Sequence, residues 1–555
     1  MIINHNLTSL SAVNASRITH SILQKSIQPL ATGLRINSAA DDASGIAISE
    51  KMRSQTAGYT MAIRNVQDGI SLLQTAEGGL GEADSMLQRM RELAVQAGND
   101  TLTSQDRAHI QEEVEELKTR LNSIAERTQF NTKRILDGSS GLLWSSNDVN
   151  LQAVVRGGAS LMDRPEGSYR IQIKAEPGKA HVQTSSFFDA STLTRTEHTV
   201  ESDDDEAQTL YVYSETANTL SEIPQFYTSD GAFIVSEAQA LKIIQGNGKI
   251  AGITLYGQDT LYDVSDKINS AIADSLGQGQ YVDNAAKFST VAEPLMNPNY
   301  DSDGEISGYT LKAGLVIQSA IPGQSGELYF SGNDDLLEVL GLSTTQKAQD
   351  STYTINIYDA DTGESLLSDV KITGNVLHGV IGEGIDVEFD PMAGTLATWQ
   401  DGQGQYVLTG SDAYSAVMTL QNSGIIFQVG TNQAENFAVQ FGGISAGALG
   451  VEGVNVMTSE LASRAVGAID EAIDSIVKQR TQIVSYSTAL EHTAANLASS
   501  GANLTQARSR ITDADEAKST MRFIEFQILS HGQELIIASA NQQPEAVYSL
   551  LNTET

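Results

Sequence analysis

Hydrophobic residues recur every seven positions near the end of the chain, in a segment otherwise rich in Ser, Thr, Ala and Gln. We call this series the C-terminal seam, and its members are Ile469, Ile476, Ile483, Leu490, Leu497, Leu504 and Ile511. A seven-residue repeat is typical of a long helix that buries one narrow stripe against a helical neighbour. The pattern therefore predicts a long helix and a partner for it.

A matching series near the start of the chain supplies that partner. The N-terminal seam consists of Val66, Leu73, Leu80 and Leu87, with Ile63 and Ile70 on the companion row. It predicts a helix over about Tyr59–Ala97, roughly 60 Å long at about 1.5 Å per residue. Gly98 is expected to end it in a left-handed conformation. Because neither seam can form a globular core alone, we expect the two seams to pack together, so that both ends of the chain lie side by side.

Three further helices are predicted at the ends of the chain. One starts near Ser104, where "TSQD" can cap it, and carries Ile110, Val114, Leu117, Leu121 and Ile124. The two outermost helices carry the apolar residues Leu23, Ile27, Leu30 and Leu34, and Met521, Ile524, Ile528 and Leu535. Polar linkers over Thr32–Ala47 and Ser509–Ser519 precede and follow the long helices, and Pro29 is expected to kink or end the first helix. Such a terminal pair is only marginally stable alone, so we expect it to order when neighbours bury it.

The middle of the chain has a different character. Most of the prolines and aromatic residues lie there, and "GSYRIQIKAE", "TLYVY", "GAFIVS" and "STYTINIYDA" have the alternation or β-branched enrichment of strands. Asp259–Gly277 is the one clearly amphipathic helix, and "DLLEVLGLS" predicts a shorter one. The predicted fold class is α+β: a long antiparallel helical coiled coil or bundle from both termini, with a β-rich central insertion of one or more domains.

Charge and composition narrow the function. The 555 residues carry a formal net charge of −35 and no cysteine. Nucleic-acid binding needs clustered Lys and Arg, so neither a nucleic acid nor an acidic membrane surface is an expected partner. Disulfides and thiolate chemistry are excluded. The start of the chain has neither the basic head nor the continuous apolar run of a secretory signal peptide, and no segment is long and apolar enough to predict a membrane span.

Few sequence patterns indicate catalysis or metal binding, and each of them is weak. No two of the eight histidines stand four residues apart, so no metal site is predicted. "GISAG" matches the nucleophile-elbow pattern around Ser445. A nucleophile elbow joins a strand to a helix, and although a strand-like run precedes this match, the residues after it do not predict a helix. The acidic runs "DSDGE" and "DADTGE" are typical of turns rather than of calcium loops. We therefore predict no catalytic residue and no cofactor.

Several long motifs at the two ends resemble bacterial flagellins. At the N-terminal end these are "GLRINSAADDASGIAISEKMRSQ", "NVQDGISLLQTAEGGLGEADSMLQRMRELAVQAGNDT" and "TQFNTKRILDG". At the C-terminal end they are "NLTQARSRITDADEA" and "SANQQPEAVYSLL", and "FQVGTNQAENFAVQFGGISAGALGV" resembles a β-hairpin segment of the same family. The resemblance covers roughly the first 160 and the last 130 residues, and its motifs agree in order.

This resemblance implies a structural subunit that self-assembles into the flagellar filament for motility. It divides the chain into five parts: an N-terminal inner-core helix and linker (1–42), the N-terminal half of the outer-core helical bundle plus the start of the β region (43–164), variable β-rich surface domains (165–400), a β-hairpin and the C-terminal long helix of the outer-core bundle (401–512), and a C-terminal inner-core helix (513–555). The implied partners are copies of the chain, a type III export chaperone, the filament cap and hook-associated proteins. The implied location is extracellular, although the "MIINHN" start also resembles spirochaete flagellins with periplasmic filaments.

The resemblance also assigns a surface on the bundle. Arg89, Leu93 and Glu113 match flagellin positions that engage the Toll-like innate receptor, on a face where neighbouring subunits pack. Two alternatives remain open: a central insert with adhesive or glycan-binding activity, or an enzymatic insert.

Overall fold

The computed structural model describes residues 6–148, 151–155, 166–200, 208–282, 287–292, 294–379, 381, 385–400, 404–410 and 414–552. Long helices lie at both ends of this chain and strands fill its centre, so the predicted α+β class is confirmed. The α-helices are α1 Leu7–Thr32, α2 Ala43–Ala97, α3 Ser104–Arg127, α4 Leu261–Ser270, α5 Asp334–Leu340, α6 Ser459–Thr512 and α7 Glu516–Asn552.

The described strands pair antiparallel in small sheets and hairpins. The first twelve are β1 Gln129–Phe130, β2 Lys133–Arg134, β3 Leu142–Ser146, β4 Leu151–Val155, β5 Gly167–Glu176, β6 Ala180–Thr184, β7 Phe188–Val200, β8 Gln208–Ala217, β9 Gln239–Gln245, β10 Ile250–Leu255, β11 Ser289–Val291 and β12 Leu295–Tyr300. The others are β13 Ile306–Ala313, β14 Leu315–Pro322, β15 Leu328–Gly332, β16 Ser343–Gln346, β17 Thr352–Asp359, β18 Ser365–Thr373, β19 Val376–His378, β20 Ile385–Phe389, β21 Thr395–Gln400, β22 Gln405–Gly410, β23 Tyr414–Asn422, β24 Ile425–Gln428 and β25 Asn436–Val439.

The chain forms two compact units. The terminal unit comprises Met1–Ser71, Ile426–Phe437 and Ser487–Thr555, and the central unit comprises Leu72–Ile425 and Ala438–Tyr486. The domain boundaries implied by the resemblance stay a prediction, and the one between residues 164 and 165 lies outside the described residues.

In the terminal unit, the start of α2 and the end of α6 run antiparallel. A Cβ atom added at Gly69 would lie 3.2 Å from Leu490, whereas one added at Gly501 would lie 3.9 Å from Tyr59. The predicted hairpin is formed by β24 and β25, and Asn65 of α2 donates to the Gln428 carbonyl at 2.9 Å. The expected packing of early helix against late helix is therefore present in this unit.

The same antiparallel pairing occurs within the central unit. Arg91 of α2 bonds to Asp470 of α6 at 2.6 Å. Further back along α2, Glu77 meets Arg480 of α6 at 2.9 Å. Helix α3 joins them, and its buried face carries Ile110, Val114, Leu117 and Leu121.

Among the described residues of the β-rich centre, two large hydrophobic cores stand out. One lies between the five-stranded sheet β18-β17-β5-β23-β3 and the three-stranded sheet β19-β20-β4, with Tyr353 packed edge-on against Phe389. The other gathers α4 with the sheets β11-β14-β6-β16 and β10-β9-β15. The sheet β12-β13-β7-β8 contributes Phe188 and Ala313 to this second core.

Several local predictions are confirmed and others need correction. The capping box of α3 is present, with Thr103 and Asp106 bonded reciprocally. Helix α2 starts at Ala43 rather than Tyr59, and α1 continues through Pro29 to Thr32. The helix ends one turn later, where Gly33 is left-handed at φ +71° and its amide donates to the Pro29 carbonyl at 2.8 Å. Gly98 does follow the end of α2, but not in a left-handed conformation.

Candidate assembly surface

The predicted seam residues of the central unit are buried. The six members that fall in this unit (Leu73, Leu80, Leu87, Ile469, Ile476 and Ile483) are all at most 4% exposed. Close antiparallel packing of two such stripes removes them from water without any wider apolar face.

In the terminal unit the seam opens progressively. Val66 and Leu490 are fully buried, but Leu497, Leu504 and Ile511 are only partly buried. The end of α6 therefore presents apolar surface that the single chain does not cover.

Helices α1 and α7 form an antiparallel pair whose interior is made of small residues. Asn6 donates to the Ala540 carbonyl at 2.8 Å, and the Ser9 hydroxyl donates to Asn541 at 2.9 Å. Among the described side chains, the buried members of the pair are Ala12, Thr19, Ser530 and Ala540. Small side chains let the two backbones approach closely and leave no room between them for large apolar ones.

The large apolar side chains of this pair point into solvent instead. We call them the terminal apolar face, and they are Leu7, Leu10, Val13, Ile18, Ile27, Met521, Ile524, Ile528, Leu529, Leu535 and Ile536, each at least 38% exposed. Leu535 is 72% exposed. Eleven exposed large apolar side chains on two helices are unusual on a soluble monomer and mark an interaction site.

The predicted inner-core residues divide accordingly. Ile27, Ile524, Ile528 and Leu535 belong to the terminal apolar face, and Leu34 just beyond α1 is 38% exposed. Leu23 and Leu30 are partly buried. The spacing of these residues gives their shared helix face, but it does not show that this face stays open in one copy.

The two polar linkers bond to each other. The Arg35 amide donates to the Thr512 carbonyl at 2.6 Å, and the Ala514 amide donates to the Gly33 carbonyl at 2.9 Å. Downstream, the Asp42 carboxylate accepts from the Gly45 amide at 2.9 Å at the start of α2, a bond that lowers the Asp42 pKa. The sequence marked these segments as polar linkers, and no signal in it indicated that they pair.

The surface assigned by resemblance to packing and receptor contact is only partly accessible. The Arg89 guanidinium donates to Glu113 at 2.9 Å and to Glu92 at 3.0 Å, and these bonds raise the Arg89 pKa. Arg89 is exposed and Glu113 is partly exposed, whereas Leu93 is 2% exposed and lies in the interior of the central unit.

Ser445 sits in a turn rather than at a nucleophile elbow. Its hydroxyl accepts from the Ala448 amide at 3.2 Å, and the segment after it forms turns, not a helix. Within the described part of the chain, no group of three or more His, Asp or Glu residues is arranged to hold a metal ion. None of the described helices is long and apolar enough to cross a membrane.

Comparison with known proteins identifies both ends of the chain. The family model for the bacterial flagellin N-terminal helical region matches residues 3–141, and the model for the C-terminal helical region matches residues 466–551. Flagellin B of Vibrio anguillarum is 34% identical over 259 residues, which cover 45% of this chain and 67% of that protein. B-type flagellin of Pseudomonas aeruginosa is 27% identical over 561 residues, 99% of each chain.

Other matches are shorter. Flagellin of Bacillus subtilis is 51% identical over 143 residues, 25% of this chain and 46% of that protein. The chain spans about half the length of this and two similar flagellins that it matches. Among solved structures, FliC from Burkholderia pseudomallei is 23% identical over 37% of this chain and 63% of that chain, with a TM-score of 0.13.

Proposed function

Because this chain belongs to the bacterial flagellin family, we propose that it is a structural subunit that self-assembles into the flagellar filament for motility. The terminal apolar face is the observation that carries this proposal. It lies on the two helices that also carry family-specific sequence, and it is apolar where a lone soluble chain would be polar. Identical copies are the partners that bury such a face in a homopolymer, since each brings the same surface.

The proposal predicts what one apolar side chain contributes to polymerisation. Ile528 is 66% exposed, so replacing it with Gln costs the single chain little. Burying a side chain of this size stabilises a contact by about 1.5–3 kcal/mol. The critical concentration for polymerisation, measured by sedimentation and electron microscopy, should therefore rise about ten- to a hundredfold.

A matched control lies in the central unit. Leu295 of β12 is 60% exposed, and Leu295→Gln should leave the critical concentration unchanged. If Ile528→Gln polymerised at the wild-type concentration, the terminal apolar face would not be the assembly surface. A second readout is limited proteolysis: both ends should be trimmed in the monomer and protected in the polymer.

The Arg89–Glu113 pair is the part of the resemblance-derived surface that another molecule can contact directly. We infer that a neighbouring subunit, or a host Toll-like receptor, contacts the charged side chains of Arg89 and Glu113. Leu93 is buried, so it contributes only by stabilising the packing of α2. Arg89→Glu should then weaken receptor activation in a reporter-cell assay. The matched change Arg120→Glu, in the exposed pair with Glu116 of α3, should not. Equal losses in both variants would indicate a general charge effect.

The location and remaining partners follow from the family. We infer an extracellular filament, with an export chaperone, a cap and hook-associated proteins as partners. An antibody against the central insert should label intact cells. Labelling only after the outer membrane is permeabilised would support the periplasmic alternative.

A further inference from the structure

The edge strand β8 is largely uncharged and apolar, which is unusual in so acidic a chain. It carries no charged residue from Gln208 to Ser214, although the chain has a net charge of −35. Tyr211, Val212 and Tyr213 are 48%, 43% and 42% exposed. Successive side chains of a strand point to opposite faces, so apolar groups are exposed on both faces of this edge.

The backbone of β8 is free on its outer side. The sheet order is β12-β13-β7-β8, so β8 pairs on one side only among the described strands. The Asn218 amide donates to the Ala190 carbonyl at 2.9 Å and continues the register in which Ser191 faces Ala217. Antiparallel pairs alternate between bonded and non-bonded. The amides and carbonyls of Val212 and Ser214 therefore face β7, whereas those of Tyr211 and Tyr213 point away from the sheet.

The opposite edge of the same sheet is protected. Strand β12 has Pro298 at its centre, and its register is broken between Asn299 and Tyr300. Proline removes a backbone donor, and proline and bulges are common devices that stop an edge from pairing with another chain. Strand β8 has neither proline nor lysine and shows no register break against β7.

We propose that β8 is a self-association surface, on which a second copy of this chain adds its own β8 antiparallel to form a continuous eight-stranded sheet. The occupant is a second copy because the strand is self-complementary: its stretch Gln208–Ser214 is uncharged, and its outward donors and acceptors alternate in the order that an identical antiparallel strand requires. A two-fold axis at Val212 places Tyr211 opposite the partner's Tyr213, a favourable aromatic cross-strand pair. It also keeps the two Glu215 carboxylates apart, since each faces Thr209 across the axis.

Charge in the sequence also favours the antiparallel arrangement. Residues 201–207, which precede β8, read "ESDDDEA" and contain five carboxylates. A parallel pair would bring the N-terminal ends of both β8 strands together, each directly after this acidic run. An antiparallel pair separates these ends. The contact is one strand wide, so it is expected to be weak in the free chain and stronger wherever copies are concentrated.

The absence of cysteine allows a direct test on the full-length chain in solution. At the proposed axis the two Val212 residues form a non-bonded pair, whose Cα atoms are about 4.5 Å apart in such pairs. That distance lies in the range for a disulfide. The variant Val212→Cys should therefore give a disulfide-linked dimer under mild oxidation.

The matched control is Ser214→Cys on the same exposed strand. In this register the two copies of residue 214 are four residues apart, about 14 Å along the strand, which is out of disulfide reach. Val212→Cys should cross-link at least tenfold faster than Ser214→Cys. Adding Tyr213→Pro, which removes an outward amide but no bond to β7, should abolish the difference.

Each outcome decides the proposal. Equal rates for the two cysteine variants would mean random collision, and no dimer of Val212→Cys would mean that β8 does not pair with itself. Either result overturns the inference. Sedimentation of the same variants reports polymerisation separately, so a failed cross-link in a chain that still forms filaments leaves the proposed function intact.

Discussion

Gln479 of α6 occupies a core position of the C-terminal seam without any hydrogen-bond partner among the described residues. It lies three residues after Ile476 and four before Ile483, is 3% exposed, and neither its Nε2 nor its Oε1 atom is paired. Burying an unpaired amide costs about 1–3 kcal/mol by mutational measurements. Gln479→Met keeps an unbranched side chain of similar length and removes the two polar atoms. We therefore expect the variant to stabilise the packing of α6 in the central unit by about 1–3 kcal/mol.

Native-state hydrogen exchange measures this effect locally. Each 1.4 kcal/mol corresponds to a tenfold change, so exchange of the α6 amides around residue 479 should slow by about five- to a hundredfold. Lys478→Met introduces the same residue at the neighbouring exposed position. It should change the opening free energy derived from exchange by less than about 0.5 kcal/mol. Faster exchange in Gln479→Met would refute the reasoning, because it would mean that the amide is hydrogen-bonded in the folded chain.

Three further predictions concern helix packing and pH. Gly78→Ala should stabilise α2 by about 0.5–1 kcal/mol, since nothing lies within 4 Å of the added Cβ. Gly79→Ala should destabilise it by about 1–3 kcal/mol, because its Cβ would lie 2.7 Å from Leu136; thermal melts of both variants test this contrast. Hydrogen bonds from Thr103 in the α3 cap lower the Asp106 pKa below its ordinary 3.8. The cap is therefore intact above pH 3.8 and is lost as the pH falls through the folded pKa. Hydrogen exchange of the first α3 amides should speed up over that fall in pH, but not in Asp106→Asn. Burial lowers the His181 pKa below its ordinary 6.5. Between the folded pKa and pH 6.5 the unfolded chain is protonated at His181 and the folded chain is not, so the free energy of unfolding falls as the pH falls through this range; His181→Gln should flatten this slope in urea titrations.

The helical ends were predictable because their information is local. A seven-residue repeat fixes which face of a long helix is apolar, and Thr103 with Asp106 fixes where α3 begins. The seam predicts a start of α2 at Tyr59, 16 residues after its actual start at Ala43, because the first turns of that helix carry no seam residue. The family motifs at both ends are equally local, so the resemblance could be read from the sequence.

The candidate surface was only half predictable. Periodicity identified Ile27, Ile528 and Leu535 as apolar helix positions, but not that Ala12 and Ser530 would form the buried side of the α1–α7 pair. A contact between two distant segments depends on which faces meet, and small residues carry little hydrophobic signal. The burial of Leu93 escaped prediction for the same reason, since its neighbours include charged residues that lie at the surface.

The central strands show the same limit more sharply. The segment "TLYVY" reads as a strand from its β-branched and aromatic residues, but whether it lies inside a sheet or at its edge depends on partners far away in the sequence.

By itself, the sequence determined the family, the long paired helices at both ends and the β-rich character of the middle, because periodicity, caps and motifs act over a few helical turns. Only the tertiary structure decided which apolar faces are covered within one copy and which remain open, as on the outside of α1 and α7 and along β8. Burial is a property of contacts between distant segments, and no local pattern contains it.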